Sequence, residues 1–156
     1  MNSSAFRTRD LTITLVAVQW VVTFAHHLYG GLRFDSPGRT IMAFVFAVIL
    51  GATLWLHRLG ATRRWAQRAC HTLVIVFWVV LLGLYEGGYN HTLYLFLRQV
   101  DPARAQSWYP AGSDAVISND VFFQGTGVLT LVAGAAVAIA LVTARRRRAG
   151  TERVSR

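Results

Sequence analysis

The sequence predicts an all-α integral membrane protein, a four-helix bundle that runs up, down, up, down, with a short interfacial helix or a helix extension in its second external loop. Two observations carry this. The hydrophobic content, 54% of 156 residues, falls into four blocks without a single charge: Leu11 to Tyr29, Thr40 to Leu56, Cys70 to Tyr85 and Val121 to Ala144. A spanning helix needs roughly 17 to 25 mostly apolar residues, which the first and last blocks supply outright and the middle two reach with their flanks. The second observation is that all sixteen basic residues are arginine and are unevenly placed. Twelve lie before the first block, between the second and third, or after the fourth. Arg33, Arg39, Arg98 and Arg104 lie in the other two connections. By the positive-inside rule both termini and the Arg58 to Ala69 loop are cytoplasmic, and the loops Gly30 to Arg39 and Gly87 to Asn119 are external. The chain is then a single domain, 1–156, with spans near 11–29, 40–57, 68–88 and 120–144 and a basic cytoplasmic tail, 145–156.

Taken in order, Met1 to Asp10 reads as a short polar tail with little order. The first span follows Arg7 and Arg9 but lacks the small residues of a cleavage site, since His26, His27, Leu28 and Tyr29 stand there, so it is retained. Thr12, Gln19, Thr23 and His26 or His27 share one stripe along it, expected to face the bundle. Gly30, Gly31 and Asp35-Ser-Pro-Gly38 stop the helix and build a tight turn. The second span, interrupted only by Thr40, Thr53 and His57, is a structural wall.

The third carries Gly83, Glu86, Gly87 and Asn90 at spacings of three, four and seven, one face if the helix persists; Gly87-Gly88 is a place for a kink or an end. Thr92 to Val100 is apolar yet too short to span, hence the interfacial helix or extension. It precedes a turn-rich stretch, Trp108 to Asp114, whose Trp108 and Tyr109 suit the headgroup zone. Ser118, Asn119 and Asp120 are candidate N-caps for the fourth span. Gly127, Gly134 and the alanines at 133, 135, 136, 138 and 140 give that span a small-residue surface for close approach of another helix, in the same chain or in a second subunit.

Ionisable groups at membrane depth are costly, so where they collect is the functional pointer. They collect at the external helix ends: His26, His27 and Tyr29 from the first, Tyr85, Glu86, Tyr89, Asn90 and His91 from the third, Asp120 and Gln124 from the fourth. Imidazoles with a carboxylate suit iron, zinc or copper, whereas an all-oxygen magnesium or calcium site needs no histidine. The metal candidates are therefore His26, His27, Glu86 and His91; Tyr29, Tyr85, Tyr89, Asn90, Asp120 and Gln124 are candidate ligand-binding or supporting residues. Adjacent histidines on a helix point about 100° apart, so both reaching one ion calls for a distortion near Gly30, or else one of them only steadies the other ligands. Bis-histidine haem is a further option, from His57 and His71 at one end and His26 or His27 with His91 at the other.

The net charge of +9 sits beside helix ends, where it holds topology and attracts anionic lipid, and so does not point to nucleic acid. Arg145 to Arg148 read as a stop-transfer anchor. Cys70 alone offers no disulfide, and hydrolase triads and phosphate-binding glycine loops are absent. Three classes remain: an outer-leaflet site for a transition metal or small polar ligand, possible in an oxidoreductase; a structural or interaction subunit, as a homo-oligomer or beside another membrane protein; and a b-type haem electron carrier. A transporter is disfavoured by charge-free span interiors. The arginine-only usage fits a bacterial inner membrane.

Overall fold

The computed structural model describes residues 3–110 and 120–154, with side chains over 11–110 and 120–146. Its helices are α1 (Ser3–Arg33), α2 (Pro37–Leu59), α3 (Arg64–Leu73), a π-helical segment (Val74–Leu93), α4 (Tyr94–Val100), α5 (Pro102–Trp108) and α6 (Val121–Val154). No strand occurs among the described residues. Four rods, Leu11–Arg33, Pro37–Leu59, Arg64–Val100 and Val121–Arg146, are long and apolar enough to cross a membrane, and the protein is an all-α, membrane-embedded bundle. Ser118, Asn119 and the 111–114 part of the turn-rich stretch lie outside the described residues.

Several sequence expectations change, among them that Gly30 and Gly31 stop the first helix, which instead continues through both to Arg33. The helix of the first span begins at Ser3, so most of the polar segment expected to lack order is helical; once a helix is nucleated, each added residue costs little. The third rod does not end at Gly87-Gly88 but runs on through α4, which realises the helix-extension alternative.

That rod holds the unusual feature of the fold. From Val74 to Leu93 its backbone bonds follow the i→i+5 pattern, which ordinarily appears only as one-turn bulges, often at functional sites. The side chain of Thr92 follows the same geometry, donating to the Gly87 carbonyl at 2.8 Å. The winding shows in what it buries: Val74, Trp78, Leu82, Gly83, Gly87 and His91 recur every four or five residues, where α1 buries Thr12, Val16, Gln19, Thr23 and His26 every three or four.

Lipid tails are as apolar as leucine, so helices associate in a bilayer through close packing and polar contacts. Both are present. The π segment crosses α6 on two glycine pairs. A Cβ on Gly83 would lie 3.1 Å from the Gly134 Cα, and one on Gly87 would fall against the Leu131 amide nitrogen and 2.9 Å from the Gly127 carbonyl. Below this crossing the core of Val16, Phe46, Cys70, Val74, Trp78, Leu82 and Val137 closes the bundle. Its polar atoms are paired across helices: Trp78 Nε1 donates to Thr53 Oγ1 at 3.1 Å, and Gln19 Nε2 to the Trp78 carbonyl at 2.7 Å.

At the opposite end of the bundle from the α2–α3 turn, α5 folds back on the rod. Asp101 caps α5 by accepting from the Arg104 amide at 3.1 Å, with Pro102 in the first turn, where its missing N–H costs nothing. Tyr94, Leu97, Ala105 and Tyr109 form a small separate core. Trp108 is half exposed, but Tyr109, expected in the headgroup zone, is buried. Its hydroxyl donates to the Tyr89 carbonyl, and burial pushes its pKa up to about 12.

Candidate metal centre

Winding decides which groups on the third rod can meet. Five residues of α-helix would set Glu86 and His91 about 140° apart. With i→i+5 bonding a turn takes somewhat over four residues, and the angle falls to roughly 50°. Both then face α1 and α6. His26 and His27 reach the same point from α1, which stays an unbroken helix; their rings stand at 86° with centroids 5.1 Å apart. No distortion at Gly30 is needed, because the carboxylate comes in between the two diverging rings.

Three imidazole nitrogens converge on one oxygen. Glu86 Oε1 lies 3.5 Å from His26 Nε2, 3.6 Å from His27 Nε2 and 3.5 Å from His91 Nε2. The donor atoms of His26, His27 and Glu86 all fall within 4.8 Å of one another, close enough to hold one metal ion. The site is deep: His26 and His91 are buried, while the side chains of His27 and Glu86 keep 12% and 16% exposure.

The neighbours fix two of the rings. His26 Nδ1 is 2.9 Å from Thr126 Oγ1, which is itself 2.7 Å from the Phe122 carbonyl oxygen. Each short contact needs a hydrogen and the hydroxyl has one, which only it can give to the carbonyl. His26 Nδ1–H is therefore the donor to Thr126. His91 Nδ1 likewise donates to Gln124 Oε1 at 2.8 Å. A neutral imidazole protonated on Nδ1 carries its lone pair on Nε2, so in their neutral form both rings aim lone pairs at the centre. Glu86 Oε2 accepts from Asn90 Nδ2 at 2.9 Å, which turns Oε1 inward.

Aromatic rings complete the enclosure. Phe123 stacks on His26 with centroids 4.2 Å apart and meets His91 edge-on at 5.2 Å. The Arg39 guanidinium lies over the Phe123 ring, 4.7 Å from its centroid. Gly127 makes room for the His91 ring, on which a Cβ would land.

Comparison with protein-family models, curated proteins and solved structures finds no match. The reading of this site rests on its geometry.

The four metal candidates named from the sequence come together, and Asn90 and Gln124 support them. The other candidates lie apart. Tyr29 donates to Asp120 Oδ2 at 2.7 Å, while Asp120 Oδ1 accepts from the Phe123 amide at 2.9 Å; this is a latch between α1 and α6 that also caps α6. Its hydrogen bonds, first that from the Phe123 amide and then that from Tyr29, hold the Asp120 carboxyl below the ordinary carboxylate range. Tyr85 and Tyr89 stack on each other with centroids 5.8 Å apart on the exposed side of the rod. Thr126, Phe123 and Gly127 were not foreseen as site residues. A helical threonine normally satisfies its hydroxyl on its own backbone, as Thr126 also does, and nothing in the sequence marks the extra bond it accepts.

Proposed function

We propose that this protein holds a transition-metal ion within the membrane, ligated by imidazoles of His26, His27 and His91 and by the Glu86 carboxylate. The observation that carries this is the spacing. A charge-assisted hydrogen bond from imidazole to carboxylate spans about 2.7 to 2.9 Å, and the three approaches here are 3.5 to 3.6 Å. Ligands placed tetrahedrally at about 2.1 Å from an ion stand about 3.4 Å apart. The approaches are longer than such hydrogen bonds and match, for each histidine with Glu86, the separation of two ligands on one cation, while the donor atoms of His26, His27 and Glu86 fall within 4.8 Å of one another. An ion held by imidazole nitrogens and the carboxylate oxygen turns this arrangement into a coordination shell. Donation of each Nδ1–H to a fixed acceptor is the usual support of a ligating histidine.

The donor set favours zinc, iron or copper, and an oxidoreductase is the enzyme class it suits. Haem fits less well: the His26 and His91 rings are in edge contact, centroids 4.7 Å apart, and a porphyrin must pass between its two axial rings. Gly127 and Gly134 pack against the chain's own π segment, so these two members of the small-residue surface do not argue for a docking subunit. Arginine asymmetry orients the site toward the outer leaflet of a bacterial inner membrane with both termini cytoplasmic.

Elemental analysis and an absorption spectrum of protein purified in mild detergent test the reading. About one transition-metal ion per chain is expected, falling to background in Glu86→Gln. Background metal in both, after incubation with zinc, iron or copper, would reject it.

A further inference from the structure

Proximity groups His26, His27 and Glu86, but anchoring divides the four donors differently. His26 is tied to Thr126, His91 to Gln124 and Glu86 to Asn90. Neither ring nitrogen of His27 has a hydrogen-bond partner, although both are buried. What holds its ring is aromatic contact, edge-on to Phe46 at 4.8 Å and to His26. It is also the imidazole of the set with measurable exposure, 12% against 1% for His26 and His91.

A ligating histidine is held in place by the bond its other nitrogen makes, and losing such a bond commonly costs about 10- to 100-fold in metal affinity. His27 lacks that bond. Its departure from an ion would break no hydrogen bond, whereas departure of His26 or His91 would break its bond to an acceptor on α6, Thr126 or Gln124.

From this we infer that His27 is the exchangeable ligand, and that the coordination position it occupies is where a small oxygen- or nitrogen-donor substrate binds. The inference rests on the metal reading above. His26, His91 and Glu86 form the permanent set, two histidines and one carboxylate, a combination that leaves positions open on an ion. His27 closes one of those positions when no substrate is present. Of the four side chains, His27 and Glu86 are the ones that keep exposure, at 12% and 16%.

The experiment uses full-length protein in detergent, loaded with cobalt(II) as a spectroscopic probe, with azide as the probe for the open position. His27→Ala and His27→Gln are compared with His26→Ala, His91→Ala and the unaltered chain, each checked for a monodisperse elution profile. The His27 variants are expected to keep about one cobalt per chain and to bind azide at least about tenfold more tightly than the unaltered chain, as follows if His27 fills the position roughly nine-tenths of the time. His26→Ala and His91→Ala are expected to lose the ion. The inference is overturned if both His27 variants lose cobalt as fully as His26→Ala, or if azide leaves their spectra as it leaves that of the unaltered chain. Failure of the unaltered chain to hold cobalt, zinc, iron or copper overturns the metal reading itself and this inference with it.

Discussion

Replacing Gly127 by alanine tests whether helix crossing and metal centre are one structure. The added Cβ lands on the His91 ring, whereas a Cβ at Gly125, two residues earlier on the same helix, meets nothing within 4 Å. The ring has little freedom to yield, since Phe123 meets it edge-on and its Nδ1 is held by Gln124. Overpacking in a filled interior costs about 1 to 3 kcal/mol. A ring pushed off Gln124 leaves a buried donor and acceptor unmade, about 1 to 3 kcal/mol more. The two losses share one side chain and do not simply add, so a total of at least about 2 kcal/mol is expected, near a thirtyfold change in the folding equilibrium. Gly125→Ala removes a helix glycine without a clash and is expected to be neutral or stabilising by up to about 1 kcal/mol. Reversible unfolding of both variants in mixed detergent, with metal content measured on the same samples, gives the comparison. Equal stability and equal metal in Gly127→Ala and the unaltered protein would refute the reasoning, as would equal destabilisation of the two variants.

Other expectations follow from the same contacts. Thr126→Val removes the acceptor of His26 Nδ1–H and should weaken metal binding about 10- to 100-fold, with Thr126→Ser restoring most of it; chelator competition reads both. Thr53→Val strands the Trp78 indole N–H at the centre of the core and should destabilise by about 0.5 to 2 kcal/mol without changing metal stoichiometry, which separates bundle stability from the site. The Tyr29–Asp120 latch should be pH-dependent in one direction. A carboxyl whose folded pKa is depressed stabilises above its unfolded pKa of about 4 and loses that contribution as pH falls through the folded value. Hydrogen exchange at the Phe123 amide should therefore show extra opening in acid that Asp120→Asn does not show.

The spans were legible because membrane helices announce themselves through length and missing charge, and such a signal survives any detail of packing. The meeting of Glu86 with the histidines was legible for a related reason, since few ionisable groups are tolerated at that depth and those present tend to share a place. How they meet was not legible. An α-helical reading groups Glu86 with Gly83, Gly87 and Asn90 and turns His91 away, yet in the structure Gly83, Gly87 and His91 line up at intervals of four against α6, with Glu86 beside them. Nothing in the residues from Val74 to Leu93 distinguishes i→i+5 from i→i+4 bonding, because both satisfy every backbone group in the lipid. What selects the wider winding is tertiary: two glycine pairs seat the rod on α6, and the winding that keeps Gly83 and Gly87 on that contact brings His91 onto Gly127 as well. The arrangement that lets the helices pack is then the one that assembles the donors. A substitution that restored α-helical winding between Gly83 and His91 would be expected to cost metal binding even if it touched no ligand.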